Sequence, residues 1–315
     1  MNMEKVKLTK EDYKECLQFI LKLKYLWGGA TIDFASSGVK RDIGKYIHDH
    51  IGGKLAEIAV KKFLKQKYSL NVELGFEKYT SAEDFMLGDI EKVVKSDGTK
   101  ISPKLKVEIK ATKPSSRWWL ISDDEFISRE YEVYILVVID LPLDHIIRFF
   151  KDSLKLDDKE LEKAIPDFGT IGAEIKGIVW RDEFKNNTLK FNAGDSVFET
   201  EIFELKSRII GTAAPAQLKN NEFSLKRTPA PFKISGQYEF FVKTSSRGTE
   251  TRYIKTISDI TITHKILGEY KLAKGKIFLI IDKYLSPLRI ANKGYPLRNV
   301  PNKEETWKEF LKKLV

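Results

Sequence analysis

Val133 through Ile139 form a run of seven β-branched or bulky apolar residues, the signature of a strand buried on both faces. A strand of this kind needs covering layers on both sides, so the run directs the chain to an α/β fold. The neighbouring segments supply the layers. Residues 11–25 carry Cys16, Phe19, Ile20 and Leu23 at helical spacing, with lysines on the other face. Gly52-Gly53 introduces a second helix with apolar Leu55, Ile58, Ala59, Phe63 and Leu64, and places Glu57 near its start. From Asp89 the period changes to two: Ile90, Val93 and Val94, an Asp97-Gly98 turn, then Leu105, Val107 and Ile109. Residues 118–121 extend as a further short strand, and 123–129 as a short helix. Beyond the buried run, 146–150 and 174–180 read as strands flanking a helix at 157–164.

Composition narrows the functions open to this fold. One cysteine among 315 residues excludes a disulfide framework and a cysteine-rich zinc site. No apolar run approaches the roughly 20 residues of a bilayer span, and the lysine-rich N-terminus lacks a cleavage-site pattern, so a cytoplasmic protein with no membrane partner is expected. The net charge is +10, and residues 207–315 hold 21 Lys+Arg against 9 Asp+Glu, more than the entire surplus. A basic segment joined to a nearly neutral one suits a polyanion-binding module attached to another function. Three prolines and several small polar residues mark a boundary at 213–231. Short strands at 238–243, 251–257, 260–266 and 276–282 follow it, with a closing helix at 303–314.

Val107-Glu108-Ile109-Lys110 carries the chemistry. Glu108 and Lys110 stand two apart on a strand and share a face, while Leu105, Val107 and Ile109 occupy the apolar one. Asp89 opens the partner strand of the same hairpin, so one carboxylate from each strand can converge on a hard cation. Mg²⁺ prefers oxygen ligands and retains waters, which makes two carboxylates and a backbone carbonyl a sufficient protein share. A lysine beside them can steady an attacking hydroxide or a phosphoryl oxygen. Such a site suits phosphodiester hydrolysis.

These residues resemble the PD-(D/E)XK nuclease superfamily, which includes most type II restriction endonucleases, archaeal Holliday-junction resolvases and Mrr-type restriction enzymes. Gly88-Asp89-Ile90 resembles the family's first acid, with Gly88 where a proline is usual, and Glu108-Ile109-Lys110 resembles its ExK element. Ala56-Glu57-Ile58-Ala59 is similar to the acid-bearing helix ahead of the hairpin. Asp84 competes for the first-acid role, but Asp89 alone begins the expected pairing. The likeness covers residues 52–143. It implies a restriction-endonuclease-like core, a mixed sheet flanked by helices, with Asp89, Glu108 and the Ile109 carbonyl holding Mg²⁺ or Mn²⁺ in its place. Lys110 would assist the water, and Glu57 would support the site or a second metal.

Lys113, Ser116 and Arg117 follow the motif directly and are expected to contact the DNA backbone, with Trp118 or Trp119 in the core. The basic loop at 243–255 offers Arg247, Arg252 and Tyr253 to a DNA groove. The four histidines lack zincin or HNH spacing and read as structural or surface residues. The expected organisation is an N-terminal helical extension at 1–39, a nuclease domain at 40–212 and a basic β-rich recognition domain at 232–315. The expected function is a Mg²⁺-dependent endonuclease acting on double-stranded DNA, in restriction and as a homodimer. A repair or junction-resolving nuclease and a non-catalytic DNA-binding protein are the alternatives.

Overall fold

A computed structural model of the chain describes residues 4–27, 42–76, 88–114, 116–154, 158–205, 213–225, 230–244, 250–265 and 267–315. It is a mixed α/β protein of two compact units. Unit 1 comprises Met1–Ser116, Ile121–Thr188 and Val300–Val315; unit 2 comprises Arg117–Leu120 and Leu189–Asn299. Among the described residues no helix is long and apolar enough to cross a membrane.

Unit 1 contains β1 (Glu4–Leu8), α1 (Lys10–Tyr25), α2 (Ile43–Tyr68), β2 (Asn71–Leu74), β3 (Ile90–Val94), β4 (Lys100–Ile101) and β5 (Val107–Thr112). The chain continues through β6 (Trp118–Ser122), shared with unit 2, to α3 (Asp123–Ser128), β7 (Val133–Asp140) and α4 (His145–Phe150). It then forms α5 (Lys159–Ala164), β8 (Ile171–Trp180) and α6 (Arg181–Asn186), and it closes with α7 (Glu304–Leu314). The central sheet has the order β1-β8-β7-β5: β7 runs parallel to β5 and antiparallel to β8, and β1 pairs antiparallel with β8. The β7 run lies in the middle of this sheet, buried from Val133 to Val137. A second sheet, β2-β3-β4, is the hairpin region.

Residues 1–39 were expected to be a helical extension, yet β1 is an edge strand of the central sheet. Its alternation of buried Val6 and Leu8 with exposed lysines seats one face on the core. Helix α1 is closed by a Thr9/Asp12 capping box and buries Tyr13, Cys16, Phe19 and Ile20 in the same core. Gly52-Gly53 does not begin the second helix. Helix α2 starts at the Asp42 cap and runs through both glycines for 26 residues. Each glycine costs about 1 kcal/mol relative to alanine, and the burial of Tyr46, Ile51, Leu55, Phe63 and Leu64 outweighs it.

Residues 146–150 form α4 rather than a strand. The Arg148 Nε–H donates to Asp144 Oδ1 at 2.7 Å, an i,i+4 ion pair that suits a helical turn and opposes the β propensity of the isoleucines. The chain returns to unit 1 at its end. Gly177, at φ +147°, leaves room for the Pro301 carbonyl, which accepts from Ile178 N–H at 3.0 Å, and Trp307 packs on Phe63.

Unit 2 is strand-rich. After β6 it contains β9 (Leu189–Phe191), β10 (Ser196–Glu204), β11 (Ala214–Pro215), β12 (Glu222–Phe223), β13 (Phe232–Ser235) and β14 (Tyr238–Thr244). Strands β15 (Glu250–Thr256), β16 (Ile260–His264), β17 (Gly268–Leu272), β18 (Ile277–Pro287) and β19 (Asn292–Pro296) complete it. Its sheets are β10-β18-β15-β14-β11, β12-β13-β16-β17 and β6-β19-β9. Phe223, Phe232, Phe240, Ile254 and Ile262 form its core.

The division therefore falls near residue 189, ahead of the expected boundary at 213–231, and α7 lies outside the strand-rich unit. Strand β10 pairs along its length with β18, which ties residues 196–204 to the later strands. Pro215 sits in β11 and Pro231 directly precedes β13, both within unit 2, while Pro229 lies outside the described residues. With these boundaries unit 1 holds 35 residues of each charge, and unit 2 holds 20 Lys+Arg against 10 Asp+Glu. All the net charge lies in unit 2.

Candidate active site

A cleft of about 850 Å³ opens in unit 1, lined along α2 by His48, Gly52, Gly53 and Glu57 and along β5 by Glu108 to Thr112. Asp49, His50, Asp89, Lys113 and Asp140 add to its polar lining. Glu57, Asp89, Glu108, Ile109 and Lys110 thus meet at one cavity, drawn from a helix, the approach to β3 and the strand β5.

The route by which Asp89 reaches Glu108 differs from a simple hairpin pairing. Strand β3 pairs with β2 and, at Val93 and Val94, with β4, whereas β5 pairs with β7 in the central sheet. Asp89, directly ahead of β3, and Glu108, on β5, therefore adjoin different sheets. The link is local: Asp89 N–H donates to the Val107 carbonyl at 2.8 Å, and Ile109 N–H donates to Asp89 Oδ2 at 2.6 Å. Gly88 makes this approach possible. Its φ is +87°, and a Cβ there would stand 2.7 Å from the Val107 carbonyl oxygen. A proline, locked near φ −65°, could not adopt this conformation.

Burial and neighbouring charges shift several of these groups. Burial, then the Glu108 and Glu57 charges, hold the Asp89 carboxyl well above its ordinary value. Burial pushes Glu57 up to about 7 against the pull of Lys54, whose Nζ donates to Glu57 Oε2 at 2.8 Å and to the Gly75 carbonyl at 2.9 Å. Lys110 Nζ bridges Glu108 Oε1 and Glu125 Oε1, each at 2.5 Å. Burial opposes its charge, but the two carboxylates outweigh it and hold the ammonium above its usual value. Lys110 is therefore an ammonium held between two carboxylates. Burial, followed by the Glu108 and Asp89 charges, also raises the Tyr131 hydroxyl.

Lys54, Glu125 and Tyr131 belong to this network and were not singled out from sequence. Lys54 had a local signal, three residues before Glu57 on one helix. Glu125 and Tyr131 had none, since only the fold carries them to β5.

The described residues among the expected DNA contacts belong to both units. Lys113 lines the cleft, Ser116 N–H donates to the Lys113 carbonyl at 3.0 Å in a turn, and Arg117 belongs to unit 2. Trp118 and Trp119 are both buried, beside Phe191 and Tyr295. Arg252 lies within β15, where its Nη2 donates to Glu250 Oε2 at 2.6 Å, and Tyr253 pairs with Phe241 in the ladder. Arg247 and Asp84 lie outside the described residues. No protein-family model, curated protein or solved structure matches the chain.

Proposed function

We propose that the chain is a metal-dependent DNA endonuclease with a PD-(D/E)XK-type site, acting in restriction. The observation that carries the reading is the meeting of Glu57, Asp89, Glu108 and Lys110 in one cleft, from segments 19 to 53 residues apart. The mixed sheet with α1 and α2 packed into its core supports a restriction-endonuclease-like fold for unit 1.

Mg²⁺, or Mn²⁺ in its place, suits the donor set. The donors are hard oxygens, and the burial and carboxylate repulsion that together raise Asp89 both disfavour an uncompensated negative charge, which a divalent cation offsets. Among the described residues no three His, Cys, Asp or Glu side chains form a ready-made metal group, so the protein share would be Asp89, Glu108 and the Ile109 carbonyl. When bound, the cation supplies positive charge to the phosphoryl oxygens and acidifies a water. The protein does the rest. Lys110, fixed between Glu108 and Glu125, donates hydrogen bonds to the attacking water and steadies its developing charge. Lys54 fixes the Glu57 carboxyl at the cleft wall.

The charge of unit 2 supplies sequence-independent attraction to a DNA duplex. One such site cuts one strand, so cutting both symmetrically calls for a homodimer.

Supercoiled plasmid incubated with the protein and Mg²⁺ is expected to become nicked or linear, with Glu108→Ala and Lys110→Ala slower by at least ~10³-fold. Cutting that continues unchanged in EDTA contradicts the reading. Preference for four-way junctions over linear duplex would indicate a repair enzyme. Salt-sensitive binding with no cutting in any divalent metal would indicate a non-catalytic DNA-binding protein.

A further inference from the structure

Three side chains outside the proposed catalytic set form a hydrogen-bonded chain from the core of unit 1 to the wall of the cleft. Tyr13, on α1, is fully buried, with its ring packed on Phe149 and Phe168. Its hydroxyl stands 2.6 Å from Nδ1 of His145, at the start of α4. His145 Nε2 stands 3.1 Å from Nδ1 of His48, and His48 lines the cleft.

The direction of these bonds follows from what each group must satisfy. Burial, reinforced by the facing His48, pushes His145 down to about 4, so at pH 7 it is a neutral imidazole with one N–H. A buried hydroxyl that donates to nothing costs about 1–3 kcal/mol, and His145 Nδ1 is the acceptor within reach of Tyr13. Tyr13 therefore donates to Nδ1. His145 then carries its proton on Nε2 and donates it to His48 Nδ1. With Nδ1 accepting, His48 keeps its own proton on Nε2, the nitrogen left for the cleft.

Two features around His48 suit a phosphate. Gly52 and Gly53 follow it one turn along α2, and a Cβ on either would meet nothing within 4 Å, so a strip of helix backbone lies bare beside the imidazole. The groups acting on His48 besides His145 are Lys113, Lys45 and Asp49, two cations against one anion.

Resting on the nuclease reading above, we propose that His48 is a substrate-contacting residue: its Nε2–H, oriented by Tyr13 and His145, donates to a non-bridging phosphate oxygen of a strand lying over Gly52 and Gly53. No proton is transferred. His48 holds the strand and His145 and Tyr13 are positioning residues.

The test combines imidazole ¹⁵N NMR with single-turnover cutting. In wild-type protein at pH 7, His48 and His145 are both expected as the Nε2–H tautomer. The His48 Nε2 signal, assigned through His48→Gln, is expected to shift when a short duplex is added with Ca²⁺ in place of Mg²⁺. His48→Ala is expected to slow cutting roughly 10- to 100-fold, the loss of one hydrogen bond to a charged group. His48→Gln restores a donor at a similar reach and is expected to recover most of that loss, and Tyr13→Phe to mix the His48 tautomers. A His48 signal unmoved by saturating duplex, or His48→Ala cutting at the wild-type rate, overturns this inference and leaves the nuclease reading standing. Wild-type protein that neither binds nor cuts duplex DNA overturns both.

Discussion

Opposing influences meet at Asp89. Burial and the carboxylates of Glu108 and Glu57 disfavour its charge, and the Ile109 N–H donating at 2.6 Å favours it. Burial and repulsion together win, so without metal an ionised Asp89 is unfavourable. Its folded pKa is raised, so this residue's contribution to stability falls as pH rises above its unfolded value. Asparagine keeps an acceptor for Ile109 N–H and removes one charge. Asp89→Asn is expected to melt ~2–4 °C higher in EDTA, about 1 kcal/mol, while its cutting is lost; calorimetry showing a lower melting temperature contradicts this. His145 has the opposite sign. Its folded value is near 4 against an ordinary 6.5, so the unfolded chain takes up the proton first. Stability that is complete above about pH 6.5 is expected to fall by up to about 3 kcal/mol toward pH 4, and denaturant titrations of His145→Gln should lack that part of the slope. At this scale much of the site was legible, because period two alone puts Glu108 and Lys110 on one face. Their partner Glu125 was not, since 15 residues and a separate helix intervene.

Elements decide whether these residues meet. The loop entering β3 works only because Gly88 takes a left-handed conformation against Val107. Gly88→Ala is expected to cost at least ~2 kcal/mol and to abolish cutting, whereas Gly52→Ala, with free space and helical backbone, should leave stability equal or slightly higher. Equal melting temperatures for Gly88→Ala and wild type would contradict the role given to that turn. Glycine is also where the element-scale reading from sequence fell short. Gly52-Gly53 resembles a helix boundary, and only the packing of Tyr46 and Ile51 ahead of the pair carries α2 through it. Ile146 and Ile147 misled in the same manner, because β propensity depends on context, and here Arg148 N–H donates to the Asp144 carbonyl at 3.0 Å in a helical turn. The long apolar strand β7 was readable because its pattern needs no partner to be recognised.

Over the whole molecule, chain order and spatial order part company. Residues 300–315 return to the unit that holds the N-terminus, and 117–120 leave it, so no single cut in the sequence separates the two units. Composition locates the positive charge in the last third, but strand pairing such as β10 with β18 defines the basic unit, and pairing between distant segments has no local signal. The same long-range folding brings Glu57, Asp89 and Glu108 to one cleft, where the proposed divalent ion is held by Asp89, Glu108 and the Ile109 carbonyl. Mn²⁺ binding followed by electron paramagnetic resonance, with duplex DNA present, tests this directly. A Mn²⁺ site is expected in wild-type protein, lost in Asp89→Asn and in Glu108→Gln and kept in Arg252→Ala; equal Mn²⁺ binding by all four proteins would contradict a shared ion at Asp89 and Glu108.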